Sequence, residues 1–79
     1  MSPAGNAQDL SNRVRERREG AGLTQEALGE VVGLTRQSII AIEKGRFTPS
    51  VHTALMLAGA LKTPVDELFW LEEPVRKGE

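Results

Sequence analysis

The chain contains no cysteine. That excludes a disulfide framework and any thiolate metal site. Its one histidine, His52, cannot build a metal cluster alone. Aromatic residues are few, with Phe47, Phe69 and Trp70 making up the whole set. No apolar run approaches the ~20 residues of a membrane span. Residues 1–8 lack the basic and apolar regions of a signal peptide. A soluble, cytoplasmic chain with no membrane partner is expected. No segment alternates with period two, so no sheet is expected. No nucleophile–base pairing, phosphate loop or metal-ligand cluster is present in the sequence, so the reading is not an enzyme, and no cofactor or metal is implied.

Seventy-nine residues make one domain with a core of modest size. The formal net charge is −1, which by itself argues mildly against a polyanionic partner. The distribution says more. Between Leu34 and Ser50, Arg36, Lys44 and Arg46 face Glu43 alone. Between Lys62 and Glu79 the acids Asp66, Glu67, Glu72, Glu73 and Glu79 outnumber Lys62, Arg76 and Lys77. The asymmetry separates a basic working face from an acidic far end.

Residues 1–8 (MSPAGNAQ) read as a disordered N-terminal arm, 9–71 as the folded domain and 72–79 as a polar C-terminal tail. Five helices are expected. The first spans "DLSNRVRERREGAG", capped by Asp9 or Ser11 and ended by Gly20 or Gly22. Its apolar stripe is Leu10, Val14 and Ala21. The second, "TQEALGEVV", is capped by Thr24 and turns Leu28, Val31 and Val32 inward. Gly29 is a poor helix former, and close approach of another helix would account for it. Gly33 stops this helix, and Thr35 caps the third, which Gly45 ends. The fourth, "PSVHTALMLAGAL", starts from Ser50 and places Val51, Ala54, Leu55, Ala58 and Leu61 on one face. Thr63 caps the fifth, "TPVDELFWL", with Pro64 at its first position and Asp66 placed for a capping-box contact. Val65, Leu68 and Phe69 point inward.

Two positions break the apolar pattern. Arg18 falls on the stripe of the first helix, and Glu43 falls on the stripe Ile39, Ile42, Glu43 of the third. A charge buried alone is very costly, so each needs a partner. Arg18 and Glu43 are expected to pair, tying the first helix to the third. Arg13, Arg15 and Arg17 interleave with Glu16 and Glu19 at helical spacing and read as a solvated face, from which one or two can reach a phosphate.

The second and third helices are joined by a tight turn at Gly33-Leu34-Thr35. A small residue, Gly29, lies four before the turn glycine, and Ile39 and Ile42 follow at +6 and +9. This is helix-turn-helix spacing. A steep crossing needs a small residue, and the turn residue must tolerate positive φ. From about Ser11 to Phe69 the sequence resembles the Cro/C1-type (XRE, phage-repressor-like) helix-turn-helix family, through "RVRERREGAGLTQEALGEVVGLTRQSIIAIEKGRFTPSVHTALMLAGALKTPVDELF".

The resemblance implies an all-α, compact five-helix lambda-repressor-like domain. It also implies sequence-specific binding of double-stranded DNA, usually as a homodimer, by a recognition helix at 35–44. It sets Gln25, Thr35, Lys44 and Arg46 at phosphates, and Arg36, Gln37, Ile40 and Ala41 toward base edges. It implies the same Arg18–Glu43 pair. Arg suits the O6/N7 edge of guanine and Gln the N6/N7 edge of adenine, while Ile40 and Ala41 offer apolar contact, for Ile40 to a thymine methyl. The implied role is a transcriptional regulator, a repressor or autoregulator. The alternative is an antitoxin or adaptor module that uses the fold mainly for protein contact. "LFWL" offers more large apolar residues than one face of a short helix can bury, so Trp70 or Leu71 is expected at the dimer interface. The uncharged run from Val51 to Leu61 is a candidate second surface for protein contact, with His52, Thr53, Met56, Gly59 and Ala60 expected outermost.

Overall fold

The computed structural model describes residues 9–72. The arm at 1–8 and the tail beyond residue 72 lie outside the described residues. In chain order the elements are β1 (Leu10–Asn12), α1 (Val14–Gly20), α2 (Gln25–Val32), α3 (Arg36–Glu43), α4 (Val51–Ala60), α5 (Val65–Leu68) and β2 (Phe69–Leu71). Five helices enclose one core, and a two-stranded ribbon closes it.

The ribbon corrects three expectations: that the first helix takes in Leu10–Asn12, that the fifth runs on through Phe69–Leu71, and that there is no sheet. β1 and β2 pair antiparallel, with Leu10 opposite Leu71, Ser11 opposite Trp70 and Asn12 opposite Phe69. Three residues per strand are too few for alternation to register, and a side chain every second position then has only one repeat. The pairing extends past both strands. The Glu72 N–H donates to the Asp9 carbonyl at 2.8 Å and the Arg13 N–H to the Leu68 carbonyl at 3.0 Å. The Ser11 hydroxyl also bonds the Glu72 carboxylate. Neither Asp9 nor Ser11 caps α1. Asn12 assists its start instead, its side-chain carbonyl accepting from the Val14 N–H at 2.9 Å. Gly22, at φ +75°, carries the chain out of the C-terminal turn of α1, and Ala21 is exposed rather than on the buried stripe.

α2 and α3 follow the expected caps. Thr24 accepts from the Ala27 N–H at 3.0 Å and Thr35 from the Ser38 N–H at 3.1 Å. Gly33 ends α2 in the left-handed region at φ +76°. A Cβ on Gly29 would lie 2.6 Å from the Leu34 carbonyl oxygen. The close approach that requires glycine there comes from the turn backbone, not from another helix. Leu28 and Val32 are buried, but Val31 is 58% exposed and does not belong to the inner face.

α4 also departs from its expected face. Ser50 caps it, accepting from the Thr53 N–H at 3.0 Å. Leu57, Ala58 and Leu61 are buried with Ala54 packed beside them, while Val51 and Leu55 point outward. The segment is apolar at nearly every position, so helical spacing fits more than one face. Thr63 does not cap α5. Its hydroxyl is buried and donates to the Leu61 carbonyl at 2.9 Å. Pro64 occupies the cap position, with no side-chain cap bond and so no capping box from Asp66. Val14, Leu28, Ile39, Ile42, Leu57 and Leu68 form the fully buried centre. Phe69 and partly buried Val65 complete it from α5 and β2.

Candidate nucleic-acid interface

α3 is divided lengthwise. Ile39 and Ile42 are buried and fix the helix to the core. Arg36 and Gln37 are exposed at its start, Ile40 and Ala41 are half-buried on its flank, and Lys44 and Arg46 are exposed beyond its end. Thr35, at the cap, is exposed. The Arg46 N–H closes the turn by donating to the Ala41 carbonyl at 2.9 Å.

The mounting of α3 is polar as well as apolar. Arg18 donates through Nε to Glu43 Oε2 at 2.6 Å and through Nη2 to Oε1 at 3.4 Å. Its Nη1 donates to the Leu23 carbonyl at 2.8 Å. The two side chains are only 10% and 4% exposed. Gln25 Nε2 donates to the same Glu43 carboxylate at 3.1 Å. One carboxylate therefore joins α1, the start of α2 and the end of α3. Asn12 adds a fourth tie, its amide donating to the Ile42 carbonyl at 3.0 Å. Nothing in the sequence pattern marked Asn12. It acts as a two-ended hydrogen-bonding link between β1, α1 and α3, a role visible only once the ribbon is known.

A cleft of about 600 Å³ runs between α1, the start of α2 and α3. It brings together Gln25, Arg36, Ile40 and Lys44 from the residues singled out by sequence, with the Arg18–Glu43 pair in its wall. Gln37, Ala41, Thr35 and Arg46 do not line it. Arg15 does, although its spacing reads as a solvated face. It also pairs with Glu19 at 3.1 Å, with both partners largely exposed. At the cleft, Arg15, Arg36 and Lys44 stand against Glu26, because the charges of Arg18 and Glu43 are spent on each other. The cleft is therefore cationic in a chain whose net charge is −1.

Trp70 is 37% exposed. The Arg13 guanidinium lies over its ring, 4.8 Å from the centroid. Leu71 is half-buried against Leu10 in the ribbon. Among the described residues no helix is long and apolar enough to cross a membrane, and no group of three metal-ligating side chains converges.

Comparison with known proteins agrees with the fold. A family model described as Helix-turn-helix matches residues 14–68. A Bacillus subtilis protein named as an uncharacterized HTH-type transcriptional regulator, YgzD, is 47% identical over 64 residues, covering 81% of this chain and 97% of its own. A like-named regulator of Methanothermobacter thermautotrophicus is 51% identical over 61 residues, covering 76% and 88%. Among solved structures, the P22 c2 repressor in complex with a synthetic operator superposes with a TM-score of 0.67 at 33% identity, over 68% of this chain and 82% of that one. The restriction-modification controller protein C.AhdI of Aeromonas hydrophila gives 0.64 at 37% identity, over 68% and 78%.

Proposed function

The chain belongs to the Cro/C1-type (XRE) helix-turn-helix family, and from that premise we propose that it is a DNA-binding transcriptional regulator, a repressor or autoregulator, that reads operator DNA as a homodimer through α3. The observation that carries the reading is the cationic cleft, where Arg36, Ile40 and Lys44 of the α3 region open beside the start of α2. The α2 N-terminus leaves the Gln25 and Glu26 N–H groups without helical partners, and such an end favours a phosphate. Gln25 stands there with its amide already oriented by Glu43. Thr35, Lys44 and Arg46 flank α3 as further phosphate contacts, and Arg15 joins them from α1.

Base reading falls to Arg36, Gln37, Ile40 and Ala41. Arg36 has the planar fork for guanine O6/N7 and Gln37 the amide for adenine N6/N7. Ile40 and Ala41 have no donor, so they meet apolar surface, with a thymine methyl opposite Ile40. The buried Arg18–Glu43–Gln25 network holds α3 at a fixed angle, which matters because bidentate contacts tolerate little displacement. One module buries limited DNA surface, so two copies on half-sites about 34–36 Å apart supply the affinity.

Selection from a random duplex pool tests the reading. An enriched palindromic site with half-sites one helical turn apart is expected, with affinity falling steeply as salt rises. Ile40→Ser is expected to relax the preference at one base position. No enrichment even at low salt would overturn the proposal in favour of protein contact.

A further inference from the structure

The outer side of α4 has no use within the chain's own core. Val51 is 76% exposed, Leu55 54% and Met56 41%, and Phe47, in the loop leading to α4, is 49% exposed. Val51, Leu55 and Gly59 are spaced four apart, so they form one row about 12 Å long on a single side of the helix. Gly59 ends that row. A Cβ there would meet no atom within 4 Å, and its φ is not in the left-handed region. Neither crowding nor a turn within the fold calls for glycine, which is the poorest helix former after proline. Two branched apolar side chains followed by a gap make a surface on which a second helix can sit closely.

We propose that the Val51–Leu55–Gly59 row of α4 is the two-fold contact with a second copy of this chain. Charge argues for a copy. From Val51 to Leu61 there is no charged residue, so the row meets its own image across a two-fold axis without like-charge repulsion. The surface around Trp70 lacks that property. Arg13 covers the ring, and Glu16 and Glu19 line the same hollow. Position argues likewise. Seven residues separate the end of α3 from the start of α4. A pair formed through α4 therefore fixes two α3 helices relative to each other through two short links, as two half-sites require. The inference rests on the DNA reading for the need for two copies. The contact itself is tested without DNA.

Analytical ultracentrifugation of the full chain supplies that test, paired with binding to a random-sequence duplex of about 36 bp at about 50 mM salt. The unaltered chain is expected at twice its 8.6 kDa mass. Leu55→Glu and Gly59→Leu are expected to weaken self-association by roughly 10-fold or more. Both positions have room in the single chain, so circular dichroism should retain the full helical signal. Trp70→Ala is expected to stay dimeric. Dimers that survive both α4 substitutions overturn the proposal, as does an unaltered chain that is monomeric at about 100 μM. Dissociation by Trp70→Ala alone would place the contact on the ribbon and overturn it too. A dimer sensitive to Leu55→Glu in a chain that binds no duplex leaves the α4 contact standing and removes the DNA reading.

Discussion

α3 and α4 are consecutive helices of similar length, eight and ten residues, each started by a hydroxyl side chain and each anchored by large aliphatic residues. They differ in what they leave outside. α3 buries Ile39 and Ile42 and presents Arg36, Gln37 and, at its end, Lys44. α4 buries Leu57 and Ala58 and presents Val51, Leu55 and Met56. The buried sides serve one core and are chemically alike. The outer sides differ in the surfaces they suit. A guanidinium, an amide and an ammonium suit phosphates and base edges. An uncharged aliphatic row suits another protein surface.

The difference can be broken most severely from the α3 side. Arg18→Ala leaves Glu43 buried, with only Gln25 to hydrogen-bond it. The expected loss is about 3–5 kcal/mol of unfolding free energy, read by urea titration. A small domain has about 5–15 kcal/mol in total, so this is a large share. A loss under about 1 kcal/mol would mean that Ile39 and Ile42 hold α3 unaided and the ion pair is incidental.

On the α4 side the same question separates two leucines. Leu57→Ala opens a cavity at a fully buried site and is expected to cost about 2–5 kcal/mol. Leu55→Ala, measured in dilute solution, is expected to change unfolding by no more than about 0.5 kcal/mol. Equal costs would show that the outward row of α4 contributes to the monomer's core after all.

These two helices also show why parts of the molecule were legible in the sequence and others were not. In α3, polar and apolar residues alternate with the helix period, so Ile39, Ile42 and the outer residues sort themselves. Arg18 and Glu43 stood out because each interrupts an apolar stripe, and a buried charge has few physical solutions. Gly29 and Gly33 marked the turn, Gly33 through its left-handed φ and Gly29 through the turn backbone packed against it rather than through the helix crossing expected. α4 offers no such contrast. Its apolar residues surround the helix, and only its packing against α2 and α5 decides that Leu57 goes in and Leu55 stays out. The ribbon was illegible for a related reason. Leu10–Asn12 and Phe69–Leu71 are separated by almost the whole domain, and neither strand is long enough to show a period. Asn12 was missed with it, since its role depends on neighbours that the ribbon and the packing of α1 supply.

The comparison sharpens further within the α3 region itself. Arg36→Ala is expected to reduce discrimination at one base position by about 1–3 kcal/mol. Lys44→Ala is expected to weaken binding to all sequences alike and to reduce the slope of log affinity against log salt by about 1. Affinity measured over a set of single-base variants at several salt concentrations separates the two. A uniform loss from Arg36→Ala would move that residue from base reading to phosphate contact.

The smallest effects locate the edge of the basic face on α1. Arg13 and Arg15 are two residues apart, yet their guanidinium groups have different surroundings. Arg13 lies over Trp70, and its Nε is buried without a hydrogen-bond partner. The stacking contributes about 0.5–1 kcal/mol, and the unpartnered donor costs an amount of similar order. Arg13→Met keeps the aliphatic stem, so its net effect on stability is expected to stay within about 1 kcal/mol. Its salt slope is expected to be unchanged, since this cation is held at the ribbon. Arg15 faces the cleft, and its exposed pair with Glu19 is worth only about 0.3–0.5 kcal/mol, so it is readily redirected to a phosphate. Arg15→Met is expected to lower the salt slope by just under 1. If Arg13→Met lowers the slope and Arg15→Met does not, the DNA passes over the ribbon rather than the cleft, and the outer side of α3 has been assigned to the wrong surface.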